Sequence, residues 1–241
     1  MVYAITNRGV QNLQKEGLIK NPPKTDRNAQ NRELGDIHIA HALLISQIRA
    51  VLTAACKEEK GLELLFWREG RKRQDRIEVA LPDTYAKVPV APDGFFGLRD
   101  AKGRSSFFVE ADRGTMTLER FTRKLKAYAA YFRQKKHEQK FGITLFRVLT
   151  VTSNVERQRN LVSSAEAAED LRRLKKMFLF TTEEKLSLVR QETIFEKIWT
   201  VPASGEPQLL FGQAPSENPN HKESITMQQN PNAHTEVRRG P

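Results

Sequence analysis

Apolar side chains recur every three to four positions through Ile37, Leu44, Ile48, Leu52 and Ala55, which lines one face of a helix ending near Lys60-Gly61. His41 and Cys56 fall on the same stripe. His38 lies three residues before His41, but no third ligand is near in sequence, so His41 and Cys56 both read as core residues. After Gly61 the period changes. LELLFWREG is an apolar run of strand length and RKRQDR a polar connection. VPVAPDGFFGL and SSFFVEAD then read as two strands joined by a turn over residues 99–104. Helical spacing returns from Thr117 to Lys136, with Thr117 as N-cap and Leu118, Phe121, Leu125, Tyr128 and Phe132 as the buried stripe. FRVLTVT follows as a buried strand, a helix is expected from Val155 to Met177, and MFLFTT reads as a further strand. Phe195, Ile198, Trp199, Leu209, Leu210 and Phe211 close the apolar pattern. The order helix, three strands, helix, strand, helix, strand belongs to an α/β domain, here spanning residues 37–212.

The flanks read differently. Residues 1–20 give a strand end, VYAIT, a turn at Asn7-Arg8-Gly9, a short helix QNLQKEG and a polar exit. Strand, glycine turn and short helix resemble the wing end of a winged-helix domain, without the helices that would read DNA. Either the chain starts late within a longer arrangement or this is a local hairpin. Residues 21–36 contain two prolines and almost no apolar side chains, the composition of a linker. Residues 213–241 combine Pro, Asn and Gln with no aromatic side chain and are expected to be a disordered tail.

Charge sharpens the picture. The chain has 241 residues and 40 Lys+Arg against 29 Asp+Glu, for a formal net charge of +11. Residues 113–176 hold 16 of those bases and only six acids, so this one stretch carries +10 of the total. Cations so concentrated repel one another unless an anion compensates them, which points to a phosphate-facing surface with Arg113, Arg120, Arg123, Lys126, Arg133, Lys135 and Lys136 as contacts. The bland alternative is a solvated helix face, and another is a protein-interaction module that meets an acidic partner. Cys56 is the sole cysteine, which excludes an intrachain disulfide framework. No uncharged apolar stretch of bilayer-spanning length stands out, and the first residues lack a signal peptide's apolar core. These features set the expectation of a soluble, cytoplasmic protein without a membrane partner.

Candidate chemistry gathers on the second and third strands, at Pro92-Asp93 and Glu110-Ala111-Asp112. Residues two apart on a strand share a face, so Glu110 and Asp112 project together, and a paired Asp93 would bring three carboxylates to one place. Carboxylates crowded this way repel unless protonated or bridged by a hard cation such as Mg²⁺ or Mn²⁺, which could hold a phosphodiester and activate water. The same residues admit a plainer arrangement, with Asp93 capping the turn before Gly94 and Asp112 paired with a helix arginine.

With Pro-Asp on the second strand and Glu-x-Asp on the third, the chain resembles the PD-(D/E)xK fold of restriction-endonuclease-like nucleases. Its particular motifs resemble the replication-relaxation family of plasmids and mobile elements. They are Tyr3-Ala-Ile-Thr-Asn-Arg-Gly9, His41 opening HALLISQIRAVL, Trp67-Arg68-Glu69, Pro92-Asp93, FFVEADRGT, and Lys124-Leu125-Lys126-Ala127-Tyr128. The resemblance implies a DNA-binding protein of plasmid or mobile-element replication, relaxation or transfer, with a possible metal-dependent endonuclease or nickase activity. It implies Asp93 and Glu110 as metal ligands, Glu69 as an accessory acid, and a lysine where Asp112 stands. A carboxylate cannot replace an ammonium that stabilises developing negative charge. Lys124, with Tyr128 one turn further along the same helix face, is the candidate migrated lysine. Asp112 in the lysine position also fits a catalytically inactive nuclease-fold regulator that only binds DNA.

Overall fold

The structure, a computed structural model, describes residues 6–22, 36–70, 74–80, 84–202, 204 and 206–210. The strand expected before Thr6, most of the linker and the tail lie outside the described residues. Helix α1 covers Asn7–Lys15, and Thr6 caps it by accepting the Gly9 N–H at 3.2 Å. Asn7-Arg8-Gly9 is therefore the first helical turn, not a turn that precedes the helix.

Helix α2 spans Asp36–Glu58 and buries Leu44, Ile48, Val51, Leu52, Ala55 and Cys56, the stripe legible in the sequence. Its other side is apolar as well, with Leu43 46% exposed. By length and composition the stretch His38–Glu58 is apolar enough to cross a membrane, contrary to the reading from uncharged runs, but here one face packs over the sheet.

The strands are β1 (Glu63–Arg68), β2 (Asp75–Ala80), β3 (Tyr85–Val90), β4 (Gly94–Asp100), β5 (Gly103–Asp112), β6 (Arg147–Thr152), β7 (Phe178–Thr182), β8 (Trp199–Thr200) and β9 (Pro207–Gln208). Seven of them form one mixed sheet in the order β1-β4-β5-β6-β7-β8-β9. The β1–β4–β5 portion is antiparallel, β5–β6–β7 parallel, and β7–β8–β9 antiparallel. The β4–β5 hairpin turns at Ala101-Lys102, where Asp100 Oδ1 accepts the N–H groups of Lys102 and Gly103 at 2.8 and 3.0 Å. Parallel neighbours require crossovers, and helices α3 (Leu118–Arg133), α4 (Lys136–Phe141) and α5 (Val155–Ala167) supply them. The sheet is thus covered on both faces. Phe95, Phe108, Phe146, Val148, Phe178 and Phe180 meet Phe121, Leu125 and Tyr128 of α3 on one side. On β4 and β5 the alternate residues Phe96, Leu98, Phe107 and Val109 are equally buried, and α2 packs over β1 and β5.

The structure corrects three readings. β2 and β3 form a separate antiparallel hairpin, so VPV belongs to β3, the chain bends at Ala91-Pro92-Asp93, and β4 begins at Gly94. This hairpin packs its Ile77, Val88 and Val90 into the α3 core. The helix expected over residues 155–177 stops at Ala167 and continues as 3₁₀ turns, Glu169–Leu171 and Lys175–Met177. On α3, Thr117 is the N-cap as predicted, yet Leu118 is 37% exposed and Tyr131 takes a buried place.

Candidate functional site

Antiparallel pairing sets the first part of the site. Gly94 stands opposite Val109, so Asp93 reaches the level of Glu110 just beyond the first residue of β4. Its N–H donates to the Val109 carbonyl at 2.9 Å, which extends the ladder by one bond, and its Oδ2 accepts the Ala111 N–H at 2.9 Å. Both backbone contacts fix the carboxylate against β5. The remaining oxygen, Oδ1, lies 3.1 Å from His41 Nε2, contributed by the N-terminal end of α2. Asp93 thus sits in a bend with its side chain engaged by two elements, and it does not cap the turn before Gly94.

Glu110 is 3% exposed and points toward α3. Lys124 Nζ donates to Glu110 Oε2, and the Tyr128 hydroxyl donates to Oε1. The donors are four residues apart on one helix and so stand one turn above the other, each over one oxygen of the same carboxylate. His38, His41, Asp93, Glu110, Asp112 and Lys124 line a cavity of about 270 Å³, with Arg113 and Met116 at its wall.

These contacts set the electrostatics. Burial pushes the Glu110 carboxyl up to about 7, against the opposing pull of the Lys124 ammonium. Burial works to lower Lys124, but the charges of Glu110 and Asp93 outweigh it and hold the ammonium above its ordinary value. The hydrogen bond that His41 donates to the Asp93 carboxylate raises the imidazole in spite of its partial burial. Tyr128 is raised well above its ordinary value, first by burial and then by the Glu110 charge, and stays a hydroxyl donor.

Asp112 departs from the convergent trio. Its two oxygens accept Arg157 Nε at 2.8 Å and Nη2 at 3.1 Å, and Oδ2 also accepts the Thr152 hydroxyl at 2.9 Å. Three of the roughly four acceptor positions of a carboxylate are thereby used. Arg157 Nη2 donates further to the Met116 carbonyl at 2.7 Å, which ties the β5–α3 connection to the start of α5. The plainer reading, Asp112 paired with a helix arginine, is the arrangement present. Glu69 is not in the cavity wall; it accepts the Trp67 indole N–H at the end of β1 and lies 3.9 Å from Arg49.

The sequence reading passed over two residues of the site. His41 was assigned to the core because it shares the apolar stripe, whereas its position near the start of α2 lifts it to the end of the sheet. Arg157 carried a usable signal. It is the third residue after Asn154, whose side chain accepts the Arg157 N–H at 2.8 Å as N-cap, so it belongs to the first turn of a helix that follows β6.

Most of the predicted phosphate contacts are committed within the molecule. Arg113 pairs with Glu183, Arg123 with Glu119 at 3.0 Å, and Lys126 with Asp170 at 2.7 Å. Arg133 donates to the Asp170 carbonyl, and Lys136 to the Arg76 carbonyl at 3.1 Å on the β2–β3 hairpin. Arg120 and Lys135 are exposed.

Among the described residues no group of three His, Cys, Asp or Glu side chains is placed to hold a metal ion. Asp93 and Glu110 bring two carboxylates to one level, the hard-oxygen chemistry that Mg²⁺ or Mn²⁺ takes, but each of their four oxygens is already engaged, by His41, the Ala111 N–H, Lys124 or Tyr128.

A family model described as replication-relaxation matches residues 1–146. That span contains His41, Asp93, Glu110, Lys124 and Tyr128, and it ends before β6 and Arg157. No curated protein and no solved structure matches the chain.

Proposed function

The chain belongs to the replication-relaxation family, and from that premise we propose that it acts on DNA during replication or relaxation of a plasmid or mobile element, cutting one strand in a metal-dependent reaction. One observation carries the proposal. Lys124, from a helix, reaches the buried carboxylate of Glu110, which stands beside Asp93 at the edge of a cavity. This supplies from α3 the ammonium that a PD-(D/E)xK site needs and that position 112 lacks. The helix, antiparallel strands, helix and parallel strand that frame the pocket support the same nuclease-like reading.

Asp93 and Glu110 are the proposed holders of Mg²⁺ or Mn²⁺, which when bound supplies a Lewis acid for the phosphodiester and a more acidic water. His41 orients Asp93 through the 3.1 Å contact, leaving the direction of its carboxylate fixed before substrate arrives. Tyr128 does the same for Glu110 from beneath. Lys124, whose side chain is 20% exposed, remains accessible from the cavity and places a positive charge where negative charge develops on the phosphoryl oxygens. Asp112 and Arg157 position the end of β5 and take no part in the reaction. Arg120 and Lys135 are candidates for phosphate contact outside the cavity.

The test is incubation of supercoiled plasmid with wild-type protein and Mg²⁺ or Mn²⁺, beside Asp93→Ala, Glu110→Ala and Lys124→Ala. Open circles from the wild type, reduced at least a hundredfold in each variant, are expected. Intact plasmid with the wild type, or equal nicking by all four proteins, sinks the nuclease reading. A second reading, a DNA-binding regulator on an inactive nuclease scaffold, is favoured by the closure of Glu110 between Lys124 and Tyr128. It predicts wild-type DNA binding with no nicking in either metal.

A further inference from the structure

The chain carries a second concave, charged place, at the far end of the sheet from the carboxylates. A groove of about 190 Å³ is lined by Arg172, Arg173, Lys175, Lys176, Ser204 and Gln208. These four cations precede β7 directly. β5, β6 and β7 run parallel with Thr182 beside Thr152 and Thr152 beside Asp112, so the carboxylate cavity lies at the C-terminal end of this trio and the groove at its N-terminal end. The five residues of β7 alone separate them by about 13 Å.

The backbone explains the arrangement of charge. Ala168, Leu171, Leu174 and Met177 recur every third residue, and the N–H groups of Leu171, Arg172, Leu174 and Met177 each donate to the carbonyl three residues earlier. At three residues per turn, side chains at i and i+3 eclipse. One row is therefore apolar and turned to the core, while Arg172 with Lys175 and Arg173 with Lys176 make two outward rows. An α-helix over the same residues would fan these charges around its circumference.

The two rows differ in occupation. Arg172 meets Glu169 at 3.3 Å, and Lys175 donates to the Glu166 carbonyl at 2.6 Å. Arg173 and Lys176 are exposed, and neither has an ion-pair partner among the described residues. No aromatic side chain lines the groove, so it offers charge without a stacking platform.

We propose that this groove anchors the phosphate backbone of DNA without reading its sequence, at a distance from the cavity where strand cleavage is proposed. The inference rests on the reading of the protein as one that acts on DNA, and it replaces the α3 cations, mostly paired internally, as the principal electrostatic contact.

The test uses the full chain, a fluorescently labelled duplex of arbitrary sequence, and equilibrium titrations at about 50 and about 200 mM salt. Arg173→Glu/Lys176→Glu is expected to weaken binding at least tenfold at the lower salt. Arg173→Gln/Lys176→Gln should lower the slope of log K against log salt by about 2, as for two lost phosphate contacts. Lys60→Glu/Lys102→Glu, at two exposed positions away from both sites, makes the same net charge change and should weaken binding far less. Equal weakening by both charge reversals, or none by the groove variants, overturns the proposal. So does a wild type that binds poly-glutamate and not the duplex. Unchanged melting temperatures establish that the variants fold. Failure to nick plasmid, with groove-dependent binding intact, overturns the cleavage reading and leaves this one standing; nicking with groove-independent binding does the reverse.

Discussion

Two carboxylates on one strand face illustrate how neighbours decide chemistry. Glu110 and Asp112 are two residues apart on β5, both buried and both in the cavity lining, yet Glu110 meets Lys124 and Tyr128 of α3 while Asp112 is clasped by Arg157. Asp112→Ala would leave a guanidinium buried to within 14% of its side-chain surface without its partner, at a cost of about 3–5 kcal/mol. Urea denaturation checks this, and Asp93→Ala, whose side chain is 21% exposed and faces no buried guanidinium, should cost less, about 1–2 kcal/mol. If the two cost the same, the division of roles is wrong. Glu110 adds a pH signature. Its folded-state value is raised from 4.5 to about 7, so the folded chain keeps the proton longer than the unfolded chain. Its contribution to stability is complete below the unfolded value and declines as pH rises through about 7. Glu110→Gln cannot ionise, and its melting temperature should lack the decline between pH 5 and 7 that wild type shows.

Among the elements, β1 and β4 depend on missing side chains. A Cβ on Gly97 would lie 2.6 Å from Phe66 Cε1, and one on Gly94 2.9 Å from Trp67 Cζ2, so the Phe66 and Trp67 rings of β1 lie this close over β4 because both positions are glycine. Gly97→Ala should cost about 1–3 kcal/mol through displacement of Phe66, read as a lower denaturation midpoint with an unchanged slope. A wild-type midpoint would show that Phe66 yields freely. The elements whose apolar period was unbroken were legible: α2, α3 with its Thr117 cap, the β4–β5 hairpin, β6 and β7. β2 was not, because Arg76 and Glu78 are polar on its outward face, Asp75 interrupts the apolar face of Ile77 and Val79, and the strand is half of a hairpin that packs on a helix. The end of α5 was legible only in hindsight. The apolar spacing shifts to three after Ala165, and a tolerant helical period absorbs that shift. Convergence of Asp93 with Glu110 could be anticipated from pairing, and a helix arginine for Asp112 could be expected in kind, but the Arg157 and His41 contacts span 45 and 52 residues, and no local pattern picks out those two residues as the partners.

At the scale of the whole molecule, the net charge of +11 resolves into two populations. Many cations of α3 and its surroundings stitch elements together, as Lys126 to Asp170 and Lys136 to the β2–β3 hairpin do. Arg173 and Lys176 face outward beside a groove. Under the two proposals, holding DNA and cutting it fall at opposite ends of the parallel strands, so variants at one end should leave the other function measurable. One interior strand of the sheet has a consequence for its assembly. β5 receives antiparallel β4 on one side and parallel β6 on the other, and the family match stops at residue 146, one position before β6 begins. A polypeptide ending there would keep every carboxylate of the cavity but bare the backbone of β5 beside Phe107, Phe108 and Val109. That row of unpaired N–H and C=O groups, flanked by apolar side chains, is a template on which a second copy adds its own strand. β6 therefore closes an edge of the cavity-bearing half that would otherwise stand unpaired.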